Sequence, residues 1–250
     1  MFIVFDNETN KLVTRMSPEW QSGFEHLHAF ADAGQLVCPW CKHLLWFREE
    51  SERCRSYFAH RSVTDCPYSC MSDEKSEAVA QLYDWLSQQD LDEVSFAVDL
   101  QIKGWNWPAD VVVEFARGNI SAYWVFDRPP KNWRVLRDGT PAHVSRHVLY
   151  TLSAHKLNQS NKLLDLAAGQ RGFIGKSTFN ERDDQGHLYF LDTKQNAVLL
   201  YRGLYRVHEP NLYSWDQKQS HKVPWSRCRF FPRTGEIVAV DETEHQLGLV

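Results

Sequence analysis

The sequence lacks any long apolar run. Nowhere in its 250 residues do 18 apolar residues follow one another, whereas a membrane-spanning helix needs about 20. Its first ten residues also lack the basic stretch and the following apolar stretch of a secretory signal. We therefore expect no membrane partner and a cytoplasmic location.

The chain also has little excess charge and few cysteines. Its 28 Lys and Arg residues and 32 Asp and Glu residues leave a net charge of −4, so global charge selects no class of partner. Basic residues are concentrated in segments 128–147 and 202–233, which could contact phosphates or form ordinary solvated surface. In a reducing cytoplasm the six cysteines favour a metal site over disulfides.

The apolar residues are sufficient for a packed core, since they make up 43% of the chain, and their spacing predicts an α+β fold. Residues 2–14 are typical of a β-hairpin, and residues 15–36 are expected to be helical in part. A helix is predicted from about residue 73 to about residue 88, because Ser72 can cap its first turn and apolar residues recur every three or four positions.

Three strands are predicted after this helix, at 94–102, 109–116 and 120–126. The first alternates apolar and polar residues, whereas the second is almost continuously apolar, as in a central strand buried on both faces. Together they form a meander packed against the helix. Residues 127–141 are rich in turn-forming residues and predict a loop, and a further strand follows at 147–153.

The segment between residues 38 and 70 predicts a zinc site. Cys38-Pro-Trp-Cys41 is a C-x-x-C motif, whose two thiolates can bind one tetrahedral ion from a single turn. Four further candidate ligands follow within 30 residues: Cys54, His60, Cys66 and Cys70. The preferred set adds His60 and Cys66 to the motif, Cys70 is the first replacement, and Cys54 is the weakest candidate.

Two other interpretations of these cysteines stay open. A redox role of the thioredoxin type is disfavoured, because no strand–helix context of that kind follows the motif. Buried free thiols are the other alternative. A closed four-ligand zinc site would be structural, because it leaves no coordination position for water.

The order of several motifs resembles the competence protein CoiA-like family. Cys38-Pro-Trp-Cys41 is followed by Tyr57-Phe-Ala-His60, then by Cys66, then by the predicted helix and a strand that carries P-x-D at Pro108-Ala-Asp110. The resemblance covers about residues 1–155. It implies a restriction-endonuclease-like core of the PD-(D/E)XK type and a role in handling DNA during uptake and recombination, with DNA as the expected partner.

The resemblance also implies catalytic residues and Mg²⁺ as a second cofactor. Asp110 occupies the position of the PD aspartate, one residue looser than a plain Pro-Asp, and Glu77, or less favourably Glu74, is the carboxylate on the helix. Carboxylates of this kind hold Mg²⁺, which activates water and absorbs charge on the phosphate. The match is incomplete, because the strand at 120–126 has no E-x-K or E-x-Q, and the helix expected after it is replaced by the predicted loop.

Two substitutes could complete the catalytic set. Glu114 follows Asp110 by four residues on the same strand, so both side chains lie on one face and could share an ion. Alternatively, Asp99 and Lys103 of the preceding strand could contribute. The simpler interpretation is that Asp110 and Glu114 are ordinary polar residues, although acids in so apolar a strand need partners or a metal.

The sequence thus predicts three regions: a hairpin and zinc-binding module at 1–71, a divergent PD-(D/E)XK-like core of helix and β-meander at 72–155, and a β-rich region of unknown role at 156–250. Two functions fit them. The first is a CoiA-like DNA-interacting protein with metal-dependent nuclease activity. The second is a catalytically inactive, zinc-containing adaptor that binds nucleic acid or a partner protein, and the missing E-x-K favours it.

Overall fold

The fold is that of a computed structural model, and it is α+β with few helices and one large mixed sheet. The structure describes residues 3–9, 11–14, 17–21, 23–52, 56–62, 65–116, 118–127, 132–152, 158–160, 163–165, 179–180, 185–206, 212–214 and 220–240. None of the helices in these ranges is long and apolar enough to cross a membrane.

Helices and strands are interspersed along the first 151 residues, and strands dominate afterwards. The α-helices of the described ranges are α1 (Pro18–Gln21), α2 (Phe24–Asp32), α3 (Asp73–Ser87) and α4 (Trp133–Gly139), and short 3₁₀ helices span Pro67–Cys70 and Trp225–Arg227. The strands are β1 (Ile3–Asp6), β2 (Lys11–Thr14), β3 (Leu36–Val37), β4 (Leu45–Arg48), β5 (Tyr57–His60), β6 (Glu93–Val98), β7 (Ala109–Phe115), β8 (Asn119–Phe126), β9 (Val144–Thr151), β10 (Asn158–Ser160), β11 (Leu163–Asp165), β12 (Phe179–Asn180), β13 (Gln185–Asp192), β14 (Ala197–Arg206), β15 (Leu212–Ser214), β16 (Ser220–Pro224), β17 (Cys228–Phe231) and β18 (Glu236–Ala239).

Helix α3 matches its predicted position. The hydroxyl of Ser72 accepts a hydrogen bond from the backbone N–H of Lys75 at 3.1 Å, and Asp73 and Glu74 lie in the first turn. Both features stabilise a helix start, because the first N–H groups have no partner within the helix and carry partial positive charge. The cap therefore fixes the residue at which α3 begins.

Strands β6, β7 and β8 form the predicted antiparallel meander, and β9 then lies parallel to β8. A parallel neighbour requires a crossover connection, and α4 provides it. The prediction of a loop at 127–141 is therefore wrong in its second half. Helix α4 has only seven residues, too few for a clear periodicity, and its last two residues, Asp138 and Gly139, resemble a turn.

The large sheet continues into the C-terminal part of the chain. Strand β13 lies parallel to β9, β14 pairs antiparallel with β13, and β16 pairs with β14. The β-rich region predicted from residue 156 therefore extends the same sheet as the core. Its hairpin β17–β18 is a separate two-stranded unit.

The sheet has an apolar core on each face. Tyr123 and Val125 of β8 belong to one cluster, with apolar residues of α3 and of the hairpin β17–β18. Ala122 and Trp124 belong to the other, with Leu136 of α4. Because neighbouring side chains of a strand point to opposite faces, β8 is buried on both sides.

A third apolar core is formed mainly by residues of the N-terminal module. Strands β1, β2 and β3 form a small antiparallel sheet, and β4 pairs with β5 in a separate hairpin. Phe47 and Phe58, which are paired across that hairpin, pack on Trp20 of α1 with ring centroids 5.8 and 5.1 Å away. Cys38 and Cys66 belong to the same core.

Candidate metal centre

A tight turn after β3 holds Cys38 and Cys41. The backbone N–H of Cys38 donates to the carbonyl of His43 at 2.9 Å, and the N–H of Lys42 donates to the carbonyl of Cys38 at 3.0 Å. Lys42 has a φ of 60°, a left-handed conformation that reverses the chain in a short distance. The turn thereby brings both thiols of the C-x-x-C motif to one centre.

Two other segments supply His60 and Cys66. His60 ends β5, opposite Leu45 of β4, and Cys66 directly precedes the first 3₁₀ helix. Nε2 of His60 lies 3.3 Å from Sγ of Cys41, and Sγ of Cys66 lies 3.6 Å from Sγ of Cys38. Residues separated by up to 28 positions therefore meet at one point.

The four ligand atoms lie within 4.8 Å of one another. In a tetrahedral site with metal–sulfur bonds of about 2.3 Å, neighbouring sulfurs are about 3.8 Å apart, so these separations suit one ion. The cluster can hold a divalent metal ion such as zinc. It is the preferred set predicted from the sequence, whereas Cys54 lies outside the described residues and the side chain of Cys70 is outside them too.

The surroundings of the ligands affect their protonation in different ways. Burial raises the pKa of Cys38 and Cys66. Burial alone would also raise the pKa of Cys41, but hydrogen bonds from the backbone and side chain of His43 have the larger effect, so the pKa of Cys41 is lowered. Burial also lowers the pKa of His60, so its imidazole stays neutral and able to bind a metal. A divalent cation among the sulfurs would deprotonate the thiols outright.

Tyr68 connects this centre to the large sheet. It lies two residues after Cys66 in the 3₁₀ helix and is fully buried. Its hydroxyl donates a hydrogen bond to Oδ1 of Asp110 in β7 at 3.1 Å. A ligand of the metal centre and the aspartate of the P-x-D motif are thus joined through one side chain.

Asp110 is fully buried and forms an ion pair with Lys75 of α3. Nζ of Lys75 lies 3.4 Å from Oδ2 of Asp110, and the same oxygen accepts a hydrogen bond from the backbone N–H of Val125 at 2.8 Å. The ammonium also lies 4.1 Å from the ring centroid of Trp107. Burial raises the pKa of Asp110 and lowers that of Lys75, and each charge opposes the shift of the other.

The structure does not bring Glu114 to Asp110, and the catalytic role predicted for Glu77 stays a prediction. Glu114 is exposed and lies opposite Glu93 of β6, while Glu77 is half-buried on α3. Residues i and i+4 of a strand are about 13 Å apart, which separates Glu114 from Asp110. Among the described residues, the Cys and His cluster is the one group of three or more metal-binding side chains that converges.

The alternative pair lies in a surface loop. Strand β6 ends at Val98, four residues before the end of the predicted strand, and Gln101 in the following loop has a positive φ of 56°. Asp99 and Lys103 are both exposed, and the carboxylate of Asp99 accepts a hydrogen bond from the backbone N–H of Gln101 at 2.8 Å.

The two basic segments are described only in part. Residues 128–131, 207–211 and 215–219 lie outside the described residues. Lys222, which is described, forms an ion pair with Asp192. The predicted phosphate contacts of these segments therefore stay predictions.

Sequence reasoning missed the role of Lys75. Lys75 lies three and four residues before Ala78 and Val79, in line with the apolar stripe of α3, and it is 3% exposed. A lysine in line with a buried stripe is a signal for a buried partner. The sequence pattern indicated Asp110 as a metal ligand and did not indicate Lys75 as its partner.

No family model, no curated protein and no solved structure matches this chain. The functional proposals therefore depend on the residues and their geometry.

Proposed function

We propose that this chain is a zinc-dependent, CoiA-like DNA-interacting protein whose nuclease-like core does not cleave DNA. The observation that carries the proposal is the pair of connected sites described above. Four soft ligands converge at Cys38, Cys41, His60 and Cys66, and the aspartate where the family would bind Mg²⁺ is neutralised by Lys75.

Zinc is the ion that best suits the first site. Three thiols and one imidazole in a tetrahedral arrangement are typical of structural zinc, whereas Mg²⁺ prefers an octahedron of oxygen ligands. All four positions would be filled by protein, so the ion would brace the module and would not activate water. The ligands come from the turn after β3, from the end of β5 and from the start of the first 3₁₀ helix, so one ion would crosslink three segments.

The order of elements after the zinc module supports a restriction-endonuclease-like core. Helix α3, the meander β6–β7–β8, helix α4 and the parallel strand β9 follow one another. The family resemblance implies a helix after the third strand, and α4 lies at that place. This order also puts Asp110 on the central strand of the meander, next to α3.

The surroundings of Asp110 support the absence of cleavage. Metal-assisted phosphodiester hydrolysis needs carboxylates that share an ion and admit a water molecule. Asp110 is 0% exposed, both of its oxygens accept hydrogen bonds, and the Lys75 ammonium supplies positive charge at the place where an ion would sit. Glu114 does not join it, because four residues along a strand separate the two by about 13 Å.

The experiment combines DNA binding with a cleavage assay. Purified protein loaded with zinc is titrated into fluorescein-labelled single-stranded and duplex DNA, and the same mixtures are incubated with Mg²⁺ or Mn²⁺ and resolved on a denaturing gel. We expect a rise in fluorescence anisotropy and intact DNA with either ion.

Two outcomes would contradict the proposal. Metal-dependent cleavage that disappears in Asp110→Asn would show an active core and overturn the non-cleaving role. Failure of the wild-type protein to bind any of the DNAs would overturn the DNA interaction and leave the protein-binding adaptor as the better hypothesis.

A further inference from the structure

The hairpin β4–β5 presents an exposed face that combines aromatic and basic side chains. In the register of the hairpin Trp46 faces Ala59 and Arg48 faces Tyr57. By strand alternation these four residues lie on the side opposite Phe47 and Phe58, which are buried against the helices. Trp46 and Arg48 are exposed, whereas Ala59 and Tyr57 are half-buried and Tyr57 also packs against the third core. We call the four residues, together with the adjacent Arg61, the outer face of the hairpin.

The indole of Trp46 is unusually exposed for so large a side chain. Its exposed fraction is 37%, and that of its neighbour Leu44 is 39%. Among the described residues these are two of the three large apolar side chains with substantial exposure. Ala59 is small and lies directly opposite Trp46, so the hairpin does not cover the ring from that side. An exposed aromatic at a fixed position favours a binding role over core packing.

Arg61 holds the indole in place. Its guanidinium lies 4.1 Å from the ring centroid of Trp46, a distance typical of a stacked cation–π contact. Nε donates to the carbonyl of Leu45 at 3.4 Å, and Nη2 donates to the carbonyl of Ala31. These contacts fix the guanidinium, so little side-chain entropy remains to be lost when a ligand stacks on the indole.

The charge on this face suits an anionic ligand. Arg48 and Arg61 are its charged side chains, and the exposed Glu49 and Glu50 follow Arg48 directly beyond the end of β4. Glu49 forms an ion pair with His28 of α2. The hairpin β17–β18 offers a contrast, because its exposed face also has an arginine and an aromatic, Arg229 and Phe231, but places Glu236 directly opposite Phe231. A carboxylate at that position would repel a phosphate backbone.

We infer that the outer face of the hairpin binds single-stranded DNA, with bases stacked on Trp46 and Tyr57 and the phosphate backbone along Arg48. The inference rests on the proposed DNA function and specifies the strand form and the surface. Bases can stack on aromatic side chains only after they leave the duplex stack, and such stacking is tolerant of sequence. Guanidinium groups beside the rings add the electrostatic part of the affinity.

The test compares two matched double variants. Trp46→Ala/Arg48→Ala removes an aromatic and an arginine from the outer face, and Phe231→Ala/Arg229→Ala removes the same pair from β17. Both pairs are exposed and two residues apart on a hairpin strand. The affinity of each zinc-loaded protein for labelled oligothymidine and for a duplex is measured by anisotropy at several salt concentrations, after zinc content and thermal unfolding have shown that each variant is folded.

We expect the first variant to bind oligothymidine roughly tenfold more weakly or worse, because loss of one stacked base costs that much. The dependence of log affinity on log salt should also flatten by about 0.7, the value for one lost phosphate contact on a single strand. The β17 variant should retain wild-type affinity. A single Trp46→Phe substitution should restore much of the stacking, which makes the result independent of the folding of the alanine variant.

Four outcomes would overturn the inference. Equal losses in the two variants would show a non-specific effect of removing exposed aromatics. Unchanged binding in both would place the DNA site elsewhere while leaving the proposed function intact. Wild-type protein that binds duplex and ignores oligothymidine would reject the strand form, whereas loss of all DNA binding in the wild type would reject the proposed function as well.

Discussion

The buried pair of Lys75 and Asp110 is the residue-scale feature with the largest expected energetic effect. Two opposite charges with exposed fractions of 3% and 0% lie between the helix and the sheet. Removing water from two ions costs several kcal/mol each, on the order of what their attraction returns. The pair is therefore costly to break from one side, while its net contribution to stability is small.

The first prediction concerns Lys75→Met. The variant leaves the Asp110 carboxylate buried without a counter-ion, so we expect the free energy of unfolding to fall by about 3–5 kcal/mol near neutral pH. Urea denaturation measures this loss. Lys103→Met, which removes an exposed lysine, is the control and should change stability by less than about 0.5 kcal/mol.

The loss should depend on pH with a definite sign. Burial raises the pKa of Asp110 in the folded state, and without Lys75 only the hydrogen bonds from Val125 and Tyr68 oppose that shift, whereas the unfolded carboxyl has a pKa of about 3.9. A folded pKa above the unfolded value means that stability is present at low pH and is lost as pH rises through that interval. Lys75→Met should thus be least harmful at about pH 4 and below, and Lys75→Met/Asp110→Asn should lose the pH dependence. A loss that grew toward low pH would contradict the assignment.

At the scale of elements, the metal centre is held by segments that have little regular structure of their own. The turn after β3 spans six residues from Cys38 to His43, β5 has four residues, and the 3₁₀ helix has four. Elements this short would gain stability from a crosslink in addition to the third core, to which Cys38 and Cys66 belong. A structural zinc ion contributes roughly 10 kcal/mol or more of folding free energy in small modules.

The second prediction concerns Cys38→Ser, which removes one ligand. We expect about one equivalent of zinc in the wild-type protein and a small fraction of that in the variant, measured by inductively coupled plasma mass spectrometry. A strong chelator should lower the melting temperature of the wild type and leave that of the variant unchanged. Cys228→Ser, a buried cysteine outside the cluster, is the control and should retain its metal. Equal, negligible zinc in all three proteins would remove the metal site.

Prediction at the element scale succeeded where the pattern was long and failed where it was short. The fifteen residues of α3 show both a cap and an apolar stripe, and the strands β7 and β8 are close to their predicted limits. Helix α4 has seven residues, fewer than two full apolar repeats, so its sequence could not distinguish a helix from a turn. Its position follows from the need to cross from β8 to the parallel strand β9.

At the scale of the whole molecule, the hairpin β17–β18 closes one face of the large sheet. Phe230 of the hairpin packs on Phe115 of β7, with ring centroids 4.8 Å apart and an interplanar angle of 79°. At the tip of the hairpin, Gly235 approaches the sheet closely, and the hydroxyl of Tyr123 donates a hydrogen bond to its carbonyl. Residues 112 positions apart therefore meet at this point.

The third prediction concerns Gly235→Ala. A Cβ at this position would lie 2.7 Å from Cβ of Ser121, 3.0 Å from Nε2 of His147 and closer still to the Ser121 hydroxyl, and the φ of 73° is unfavourable for alanine. We expect a loss of about 2–4 kcal/mol in the free energy of unfolding, the sum of backbone strain and overpacking. Urea denaturation measures it.

Gly118→Ala separates the two contributions. Gly118 has a similar φ of 86°, but an added Cβ would meet only the Glu114 carboxylate at 3.8 Å. This control should lose about 1–2 kcal/mol from backbone strain alone. Equal stability of Gly235→Ala and Gly118→Ala would contradict the close contact between the hairpin β17–β18 and the sheet.

What the sequence by itself determined was local. The C-x-x-C spacing and the candidate ligands that follow it lie within about thirty positions of one another. The cap and stripe of α3 and the alternation or continuity of the strands depend on closer neighbours, for which helix and strand geometry dictate which side chains share a face. These patterns predicted the α+β class and the preferred metal ligands Cys38, Cys41, His60 and Cys66.

Only the tertiary structure decided what the long-range partners are. Whether Asp110 faces an ion, water or a lysine depends on the packing of α3 on β7, which brings together positions 35 residues apart in sequence. A carboxylate in an apolar strand must be neutralised, and the sequence pattern is the same whether the neutralising charge is Mg²⁺ or an ammonium group. The fold placed Lys75 there, and this placement is the reason to propose binding without cleavage.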